Sequence, residues 1–320
     1  MIKSLVTGGA GFIGFNVAKR LSELGHKVVL VDNFLRGQND EALAGLLKKT
    51  NVSLLECDLT DQDCKKELGR DYDYVYHFAA INGTKNFYNR PQDVLRVNLM
   101  TTINVLDWFI TSGSKKIIFS SSSETYAGTN SLNKLPIPTP EDVPLCIDEV
   151  SNPRWSYAGS KIAGELLFLN YASAYDCSVS IVRYHNIYGP RMGYDHVIPE
   201  FCQKLKEDTG LFSIMGGDET RAFCFIDDAV SATINVMESA LTDGKIIHIG
   251  NQKEEIKIND LARKMIDLHN TNPKIVKTPP PPGTVNRRCP DVSRLKKLTG
   301  FESKTDLSSG LKITMDWYLK

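Results

Sequence analysis

The sequence has no excess of charge of either sign: its 320 residues carry 38 lysines and arginines against 38 aspartates and glutamates. Nucleic acids and anionic membranes attract an excess of basic charge, so neither is expected as a partner. No apolar run approaches the roughly 20 residues that span a bilayer. Low-complexity tracts are almost absent, which excludes fibrous and disordered classes.

Paired cysteine motifs are also missing. The seven cysteines are scattered, with no CxxC and no cysteine–histidine cluster at zinc spacing, so no metal site is predicted. The amino-terminal residues run straight into a strand and do not resemble a signal peptide. Together these features predict a cytoplasmic protein with reduced, buried thiols.

The first half of the chain alternates short β-rich runs with amphipathic stretches. This alternation is typical of right-handed βαβ units and a parallel sheet. The length exceeds the usual single-core size, so a second domain or lobe is expected. Within the second half, the proline-rich run 278–283 is predicted to be a stiff connector. Strands are predicted at 2–6, 27–31, 52–56, 73–78, 116–120, 179–184 and 246–249, and helices near 12–24, 39–49, 60–68, 91–112, 157–175, 197–207, 227–240, 259–269 and 306–318.

A glycine-rich turn follows the first predicted strand. Gly8, Gly11 and Gly14 are spaced G-x-x-G-x-x-G, a pattern that permits a tight turn and close approach of the backbone to a pyrophosphate. The second strand ends at Asp32, where a carboxylate accepts hydrogen bonds from ribose hydroxyls and repels the extra phosphate of NADP. Together these residues predict NAD, although taken singly the glycines could form a plain turn and Asp32 could cap a helix. Asp58, after the third strand, suits either an adenine contact or a helix cap.

Tyr157 and Lys161 lie four residues apart on a predicted helix and therefore share one face. An ammonium group beside a phenol favours phenolate, so we expect the pKa of Tyr157 to fall toward the working pH. Such a tyrosine would serve as a general base for a hydroxyl proton. The spacing is common and usually structural, but a serine run ending at Ser122–Ser123 follows the fifth strand, at the sheet edge where ligands bind.

The order of these motifs resembles the extended short-chain dehydrogenases/reductases, in the NAD-dependent nucleotide-sugar epimerase/dehydratase family. TGGAGFIG, VDN, HFAA, FSSSSETY, YAGSK, RYHNIYGPR and TRAFCFIDD all fit, and they cover most of the chain. The resemblance implies a Rossmann-type doubly wound parallel sheet over residues 1–185. A smaller mixed α/β substrate lobe would follow over 186–320, with some chain crossing back to the sheet.

The resemblance also implies roles for individual residues. Ser122, Tyr157 and Lys161 match the catalytic set, although Ala127 replaces the glycine expected after Tyr126. Cofactor contacts are implied for Gly8, Gly11, Phe12, Ile13, Asp32, Asn33, Asp58, Leu59, Ala79, Ala80, Asn98, Tyr157 and Lys161. Contacts to a nucleotide-diphosphate sugar, with a UDP-sugar favoured, are implied for Ser122, Ser123, Asn186, Arg191, Arg221, Arg288 and Asp291, the last orienting Arg288.

Glu124, two residues after Ser122, bears on the reaction. All members of the group would pass through a 4-keto sugar, which can be reduced on the other face, lose water or lose CO₂. The main interpretation is an NAD-dependent nucleotide-sugar epimerase that acts on a UDP-sugar at C4. Glu124 resembles the glutamate of 4,6-dehydratases and UDP-glucuronate decarboxylases, and these stay as alternatives. A non-catalytic NAD- and nucleotide-binding protein is a remote one. The helices near 91–112 and 157–175 match those that form a homodimer in the family.

Overall fold

The computed structural model describes residues 1–132, 134–280 and 285–320, so residues 281–283 of the predicted connector lie outside the described residues. The strands in chain order are β1 (Lys3–Thr7), β2 (Lys27–Asp32), β3 (Val52–Glu56), β4 (Tyr74–His77), β5 (Lys116–Ser122), β6 (Ser178–Tyr184), β7 (Ile187–Tyr188), β8 (Leu211–Met215), β9 (Thr220–Ala222), β10 (Cys224–Phe225), β11 (Lys245–Ile249), β12 (Glu255–Lys257), β13 (Lys274–Thr278) and β14 (Arg287–Arg288).

Helices separate most of these strands, and a 3₁₀ turn over Ser123–Tyr126 follows β5 directly. A second 3₁₀ turn covers Ala240–Thr242. The α-helices are α1 (Phe12–Glu23), α2 (Glu41–Leu47), α3 (Cys64–Glu67), α4 (Thr84–Asn89), α5 (Pro91–Phe109), α6 (Ala127–Ser131), α7 (Trp155–Tyr175), α8 (Val197–Glu207), α9 (Ile226–Glu238), α10 (Ile258–His269), α11 (Ser293–Thr299) and α12 (Leu307–Tyr318).

Among the described residues, seven parallel strands form one sheet in the order β11-β6-β5-β4-β1-β2-β3. Successive side chains of a strand point to opposite faces, so Leu5 and Val6 of β1 enter different apolar cores, one on each side. Strands buried on both faces read as continuous apolar runs, which is why this sheet was predictable. The chain reverses its direction of winding between β1 and β4. Ligands bind at such a switch point, beyond the carboxyl ends of the strands.

Helices cover both faces of the sheet. On one face α5 packs against α7, and on the other α1 packs against α9. Pro91 at the first turn of α5 suits a helix start, because the missing N–H would have no partner there. The predicted doubly wound Rossmann-type sheet is thereby confirmed.

The second half of the chain supplies smaller sheets that were not predicted. β9 pairs with both β12 and β14, β8 pairs with β13, and β7 pairs with β10. Their strands are short and pair across long stretches of sequence, so local patterns give little sign of them. β11 returns to the main sheet beside β6, as the expected crossing back requires. The division at residue 185 stays a prediction. Among the described residues, no helix is long and apolar enough to cross a membrane.

Candidate active site

A deep crevice opens at the carboxyl ends of the parallel strands, at the switch point between β1 and β4. It has a volume of about 410 Å³, and a second cavity adjoins it on the side of the C-terminal lobe. The crevice brings together most of the predicted site residues: Gly8, Gly11, Phe12, Ile13, Asp32, Asn33, Asp58, Leu59, Ala79, Ala80, Ser122, Ser123, Glu124, Tyr157, Lys161, Asn186, Arg191 and Arg288. Asn98, Arg221 and Asp291 do not line it.

The glycine loop can keep its tight turn against β4 and α1 only because it lacks side chains. Gly8 has a φ of +67°, and a Cβ there would lie 2.8 Å from the backbone nitrogen of Ala79. A Cβ on Gly14 would lie 2.2 Å from the carbonyl oxygen of Gly8. The loop ends where α1 begins, so backbone N–H groups at the start of the helix face the crevice. These features fit a dinucleotide.

Replacing Gly14 by alanine is expected to push the loop out of shape, because the new methyl group overlaps the carbonyl of Gly8. Overpacking of this kind costs about 1–3 kcal/mol of stability, and NAD binding should weaken with it. The measurement is thermal unfolding with and without added NAD, together with the NAD retained after gel filtration. Gly45→Ala in α2 is the matched control, since a Cβ there meets open space. A Gly14→Ala protein that retains NAD like the wild type would contradict this account.

Acidic residues after β2 and β3 line the predicted ribose and adenine end. The Asp32 carboxylate accepts hydrogen bonds from the backbone nitrogens of Ala10 and Phe34, both at 2.9 Å. Burial raises the pKa of Asp32, although these bonds oppose the shift. Asn33 donates to Asp58 across the crevice at 3.2 Å. Asp58 also accepts from the backbone nitrogen and hydroxyl of Thr60, so both of its predicted roles stay open.

The side chains of two predicted cofactor or phosphate residues bond the protein itself. The Asn98 side chain bonds both the backbone nitrogen and the carbonyl of Ile81, and so supports the crevice wall from behind. Arg191 is buried, and its guanidinium bonds Asp40 at 2.7 Å and the carbonyl of Ala10 at 2.9 Å. The predicted phosphate role of Arg191 does not match this placement. Its backbone φ of +71° turns the side chain under the glycine loop, where it ties the loop to the second half of the chain.

Ser122, Tyr157 and Lys161 meet where β5 ends against α7. Ser122 lies within hydrogen-bonding reach of Tyr157 and accepts from the backbone nitrogen of Glu124 at 3.2 Å. The Lys161 ammonium donates to the carbonyl of Ser120 at 2.7 Å and lies 5.7 Å from the centre of the Tyr157 ring. Phe87 of α4 stacks on that ring, with the centres 4.9 Å apart. This stacking was not predicted from the sequence.

The electrostatics of this set differ from the expectation. Burial raises the pKa of Tyr157 to about 12, although the bond from Ser122 opposes the shift. Burial also lowers the pKa of Lys161 to about 7. The predicted fall in the tyrosine pKa is therefore wrong for the protein alone. Desolvation outweighs the lysine, whose ammonium faces a carbonyl group and not the phenol.

Glu124 is held by two arginines. Arg154 donates to one carboxylate oxygen at 2.8 Å, and Arg288 donates to the other at 2.7 Å. Burial alone would raise the pKa of Glu124, but the guanidinium groups of Arg288 and Arg154 lower it to about 2. Glu124 is thus ionised at every ordinary pH. Arg154 was not predicted as a site residue, since its only signal in the sequence is its place three residues before Tyr157.

The remaining predicted substrate residues surround the boundary of the two cavities. Ser123 is buried in the crevice wall, and Asn186 lines both cavities while donating to the carbonyl of Ala222 at 3.2 Å. Arg221 lines the second cavity, and burial, assisted by Arg288, lowers its pKa to about 10. Within the described part of the chain, the carboxylate of Asp291 bonds the start of α11 and not Arg288, so its predicted orienting role is not seen.

The cysteines follow the expectation only in part. Cys57 and Cys64 are joined as a disulfide, with their Cα atoms 5.9 Å apart, which corrects the prediction of seven free thiols. Their pairing is local in space because β3 leads through a short loop into α3. Three of the five free cysteines are buried. The described residues hold no cluster of histidine, cysteine and carboxylate groups that could bind a metal ion.

Comparison with known proteins settles the family. The family model "NAD dependent epimerase/dehydratase family" matches residues 4–250. A UDP-N-acetyl-alpha-D-glucosaminuronate decarboxylase of Bacillus cytotoxicus is 36% identical over 99% of this chain and 97% of its own. A UDP-glucuronate 4-epimerase of Thermodesulfobacterium geofontis is 30% identical over 98% of this chain and 95% of its own. The chain belongs to the NAD-dependent epimerase/dehydratase family.

Solved structures agree with this membership. A UDP-glucose 4-epimerase of Thermotoga maritima with UDP-glucose has a TM-score of 0.87 at 29% identity, covering 99% of this chain and 98% of the other. A UDP-glucuronic acid 4-epimerase mutant of Bacillus cereus, in complex with a fluorinated sugar nucleotide and NAD, has a TM-score of 0.88 at 26% identity, covering 99% of both chains. The protein is therefore an NAD-dependent enzyme whose substrate is a nucleotide sugar, as the sequence predicted, and the non-catalytic alternative falls away.

Proposed function

We propose that the enzyme is an NAD-dependent decarboxylase of a UDP-uronic acid. The observation that carries this proposal is the arrangement around Glu124. Arg154 and Arg288 both bond Glu124 beside Ser122 and Tyr157, so two guanidinium groups lie where the sugar would react. A uronate brings a carboxylate at C6, and the guanidinium fork is well suited to bind a carboxylate. A neutral hexose has no charged group at C6 for the arginines to bind.

The state of Glu124 also favours decarboxylation over dehydration. A 4,6-dehydratase needs a base for the C5 proton, and a base works best when its pKa lies near the operating pH. Two arginines hold the pKa of Glu124 at about 2, which makes it a weak base. Loss of CO₂ from C5 needs no proton abstraction at that carbon. The 36% identity to a UDP-N-acetyl-alpha-D-glucosaminuronate decarboxylase supports the same choice.

The proposed reaction uses the residues where the structure places them. The positive charge of bound NAD would favour the phenolate of Tyr157. That phenolate takes the C4 hydroxyl proton, with Ser122 as the bridging hydroxyl. Bound NAD, held by the glycine loop and Asp32, supplies the redox chemistry at C4. The 4-keto uronate is a β-keto acid, so its C5–C6 bond breaks and the electron pair moves to the C4 oxygen. CO₂ leaves, C5 takes a proton from solvent, and C4 is reduced again.

A UDP-glucuronate 4-epimerase is the second candidate. A relative of that name is 30% identical to this chain, and such a substrate also carries a C6 carboxylate. In this case the arginines would bind the carboxylate without breaking its bond. The two functions therefore share the site and differ in the fate of C6.

The test is product analysis by chromatography with mass detection. The pure protein is incubated with NAD and, separately, with UDP-glucuronate, UDP-N-acetylglucosaminuronate, UDP-glucose and GDP-mannose. The proposal predicts a product lighter by one CO₂ from a UDP-uronate and slower turnover of the neutral sugars. A uronate product of unchanged mass would establish the epimerase, and a product lighter by one water would establish a dehydratase.

We also propose that the enzyme is a homodimer. Apolar side chains on the outer faces of α5 and α7 are exposed, among them Leu95, Ile103, Leu166 and Tyr175, with exposed fractions from 38% to 58%. Pairing α5 and α7 with those of a second copy would cover them. Sedimentation equilibrium is expected to give twice the chain mass, and a monomer mass at all concentrations would contradict this. The cytoplasmic location stays a prediction.

A further inference from the structure

A buried histidine lies behind Glu124 and Arg288 and takes no part in the proposed chemistry. His248, on β11, is fully buried. Its Nε2 lies 2.6 Å from the hydroxyl of Tyr126, and its Nδ1 lies 3.0 Å from the carbonyl oxygen of Asp291. Tyr126 closes the 3₁₀ turn that carries Glu124, and Asp291 follows Arg288 by three residues. The imidazole therefore connects the two segments whose side chains form the Glu124–Arg288 pair.

The partners of His248 fix the direction of every hydrogen bond. A carbonyl oxygen can only accept, so Nδ1 carries the hydrogen and donates to Asp291. In the neutral ring Nε2 is then an acceptor, and the Tyr126 hydroxyl donates to it. Arg183 in turn donates to the Tyr126 oxygen, while Glu165 pairs with Arg183 on both carboxylate oxygens. Burial lowers the pKa of His248 to about 3, so the ring stays neutral and this arrangement has one orientation.

Other bonds hold each segment, and those that link the two run through the loop that contains Thr139. The Tyr126 hydroxyl lies 3.5 Å from the carbonyl oxygen of Pro140, and Arg183 donates to the carbonyl of Glu141 at 3.1 Å. The backbone nitrogen of Thr139 donates to the carbonyl of Cys289, and that of Asp291 donates to the carbonyl of Thr139. These bonds fix the Arg288 segment to the loop that contains Thr139. The Glu124 turn is fixed to the end of β5 by Thr125, which donates to the carbonyl of Ser122. The imidazole bonds both segments directly, behind the ion pair.

We propose that His248 is a positioning residue that fixes Arg288 relative to Glu124. The inference rests on the proposed function, because it assigns this ion pair to the loss of CO₂. Oxidation at C4 depends on Ser122, Tyr157 and Lys161, which the bridge does not touch. A misplaced arginine should therefore slow the loss of CO₂ and leave the oxidation unchanged.

The test uses two variants of the holoenzyme. Tyr126→Phe keeps the ring and removes the hydroxyl donor. His248→Asn can still donate to Asp291 but no longer reaches Tyr126. Single-turnover measurements follow oxidation through the absorbance of reduced nicotinamide, and CO₂ release through a carboxyl-labelled UDP-uronate. We expect CO₂ release to slow on the order of tenfold or more, with oxidation and KM within about twofold of the wild type. The double variant should be no slower than the worse single one, because both break one bridge.

Tyr72→Phe is the matched control, since it removes a buried tyrosine hydroxyl that donates to Leu68 far from the crevice. Thermal unfolding separates a loss of stability from a loss of positioning. The inference alone would be overturned if the variants slowed oxidation and CO₂ release equally. It would also be overturned if they lost as much thermal stability as Tyr72→Phe and released CO₂ at the normal rate. A wild-type enzyme that oxidises a UDP-uronate without releasing CO₂ would overturn the proposed function, and the inference would fall with it.

Discussion

Replacing Glu124 by glutamine is expected to leave oxidation at C4 intact and to slow the loss of CO₂ on the order of a hundredfold. The amide keeps the size of the side chain but removes the charge that Arg154 and Arg288 share. The arginines would then bind the substrate carboxylate more tightly and hold it in place. Reduced nicotinamide and the 4-keto uronate should therefore accumulate. The measurement is rapid quenching with mass detection of the intermediate, beside the absorbance of the cofactor.

The same substitution should change stability in a pH-dependent manner. The folded-state pKa of Glu124 is about 2, below its ordinary value of 4.5, so the unfolded chain binds its proton first as the pH falls. The stabilisation from the ion pairs is complete above the ordinary pKa and is lost as the pH falls toward 2. Glu124→Gln should thus cost about 3 kcal/mol near neutral pH and almost nothing at the acid end.

A matched control for this prediction is Glu149→Gln, a change of the same kind at an exposed position. It should alter neither the reaction nor the unfolding curve. If Glu124→Gln decarboxylates at the wild-type rate, the ion pair has no role in the loss of CO₂. If it blocks oxidation as well, Glu124 acts on the first step and the assignment of roles is wrong.

Replacing Tyr157 by phenylalanine is expected to stop the reaction before the sugar is oxidised. The phenol is the group beside Ser122 that can take the C4 proton, and loss of a general base slows a reaction on the order of 10³-fold. Because burial holds the phenol neutral in the protein alone, its removal should leave folding almost unchanged. Both the absorbance of reduced nicotinamide and the release of CO₂ should disappear together.

Tyr171→Phe is the control for Tyr157→Phe, because the same helix carries it and its hydroxyl bonds Asp107 outside the crevice. This variant should retain full activity. A Tyr157→Phe enzyme that still reduces its cofactor at a rate near that of the wild type would remove the phenol from the mechanism. It would also point to another base in the crevice.

The sequence predicted the parts of the molecule whose signals are local. β1, β2 and β5 are apolar runs next to recognisable turns, and Gly8 and Asp32 stand at fixed places relative to them. The short strands β9 and β14 were missed because their pairing joins residues about 67 positions apart, with no periodic pattern in either. The topology of the main sheet could thus be predicted from the first half of the chain, whereas the small sheets of the C-terminal lobe could not.

The direction in which a side chain points was the second feature that could not be predicted from the sequence. The motif around Arg191 placed it near the nucleotide, but its left-handed backbone turns the guanidinium toward Asp40. Glu124 was recognised as decisive, yet its partners come from residues 154 and 288, far apart in sequence. The pKa of Tyr157 was misjudged because helical spacing brings Lys161 near without showing that burial dominates. Such facts depend on packing between distant elements.

The most direct test of decarboxylation is a reaction with carboxyl-labelled UDP-uronate in deuterated water. We expect the label to leave as CO₂ and the sugar product to carry one solvent deuterium at C5. Breaking the C5–C6 bond frees no proton from the sugar, so water must supply the hydrogen that C5 gains. A product that keeps its carboxyl label and gains no deuterium at C5 would contradict the account and establish epimerisation at C4.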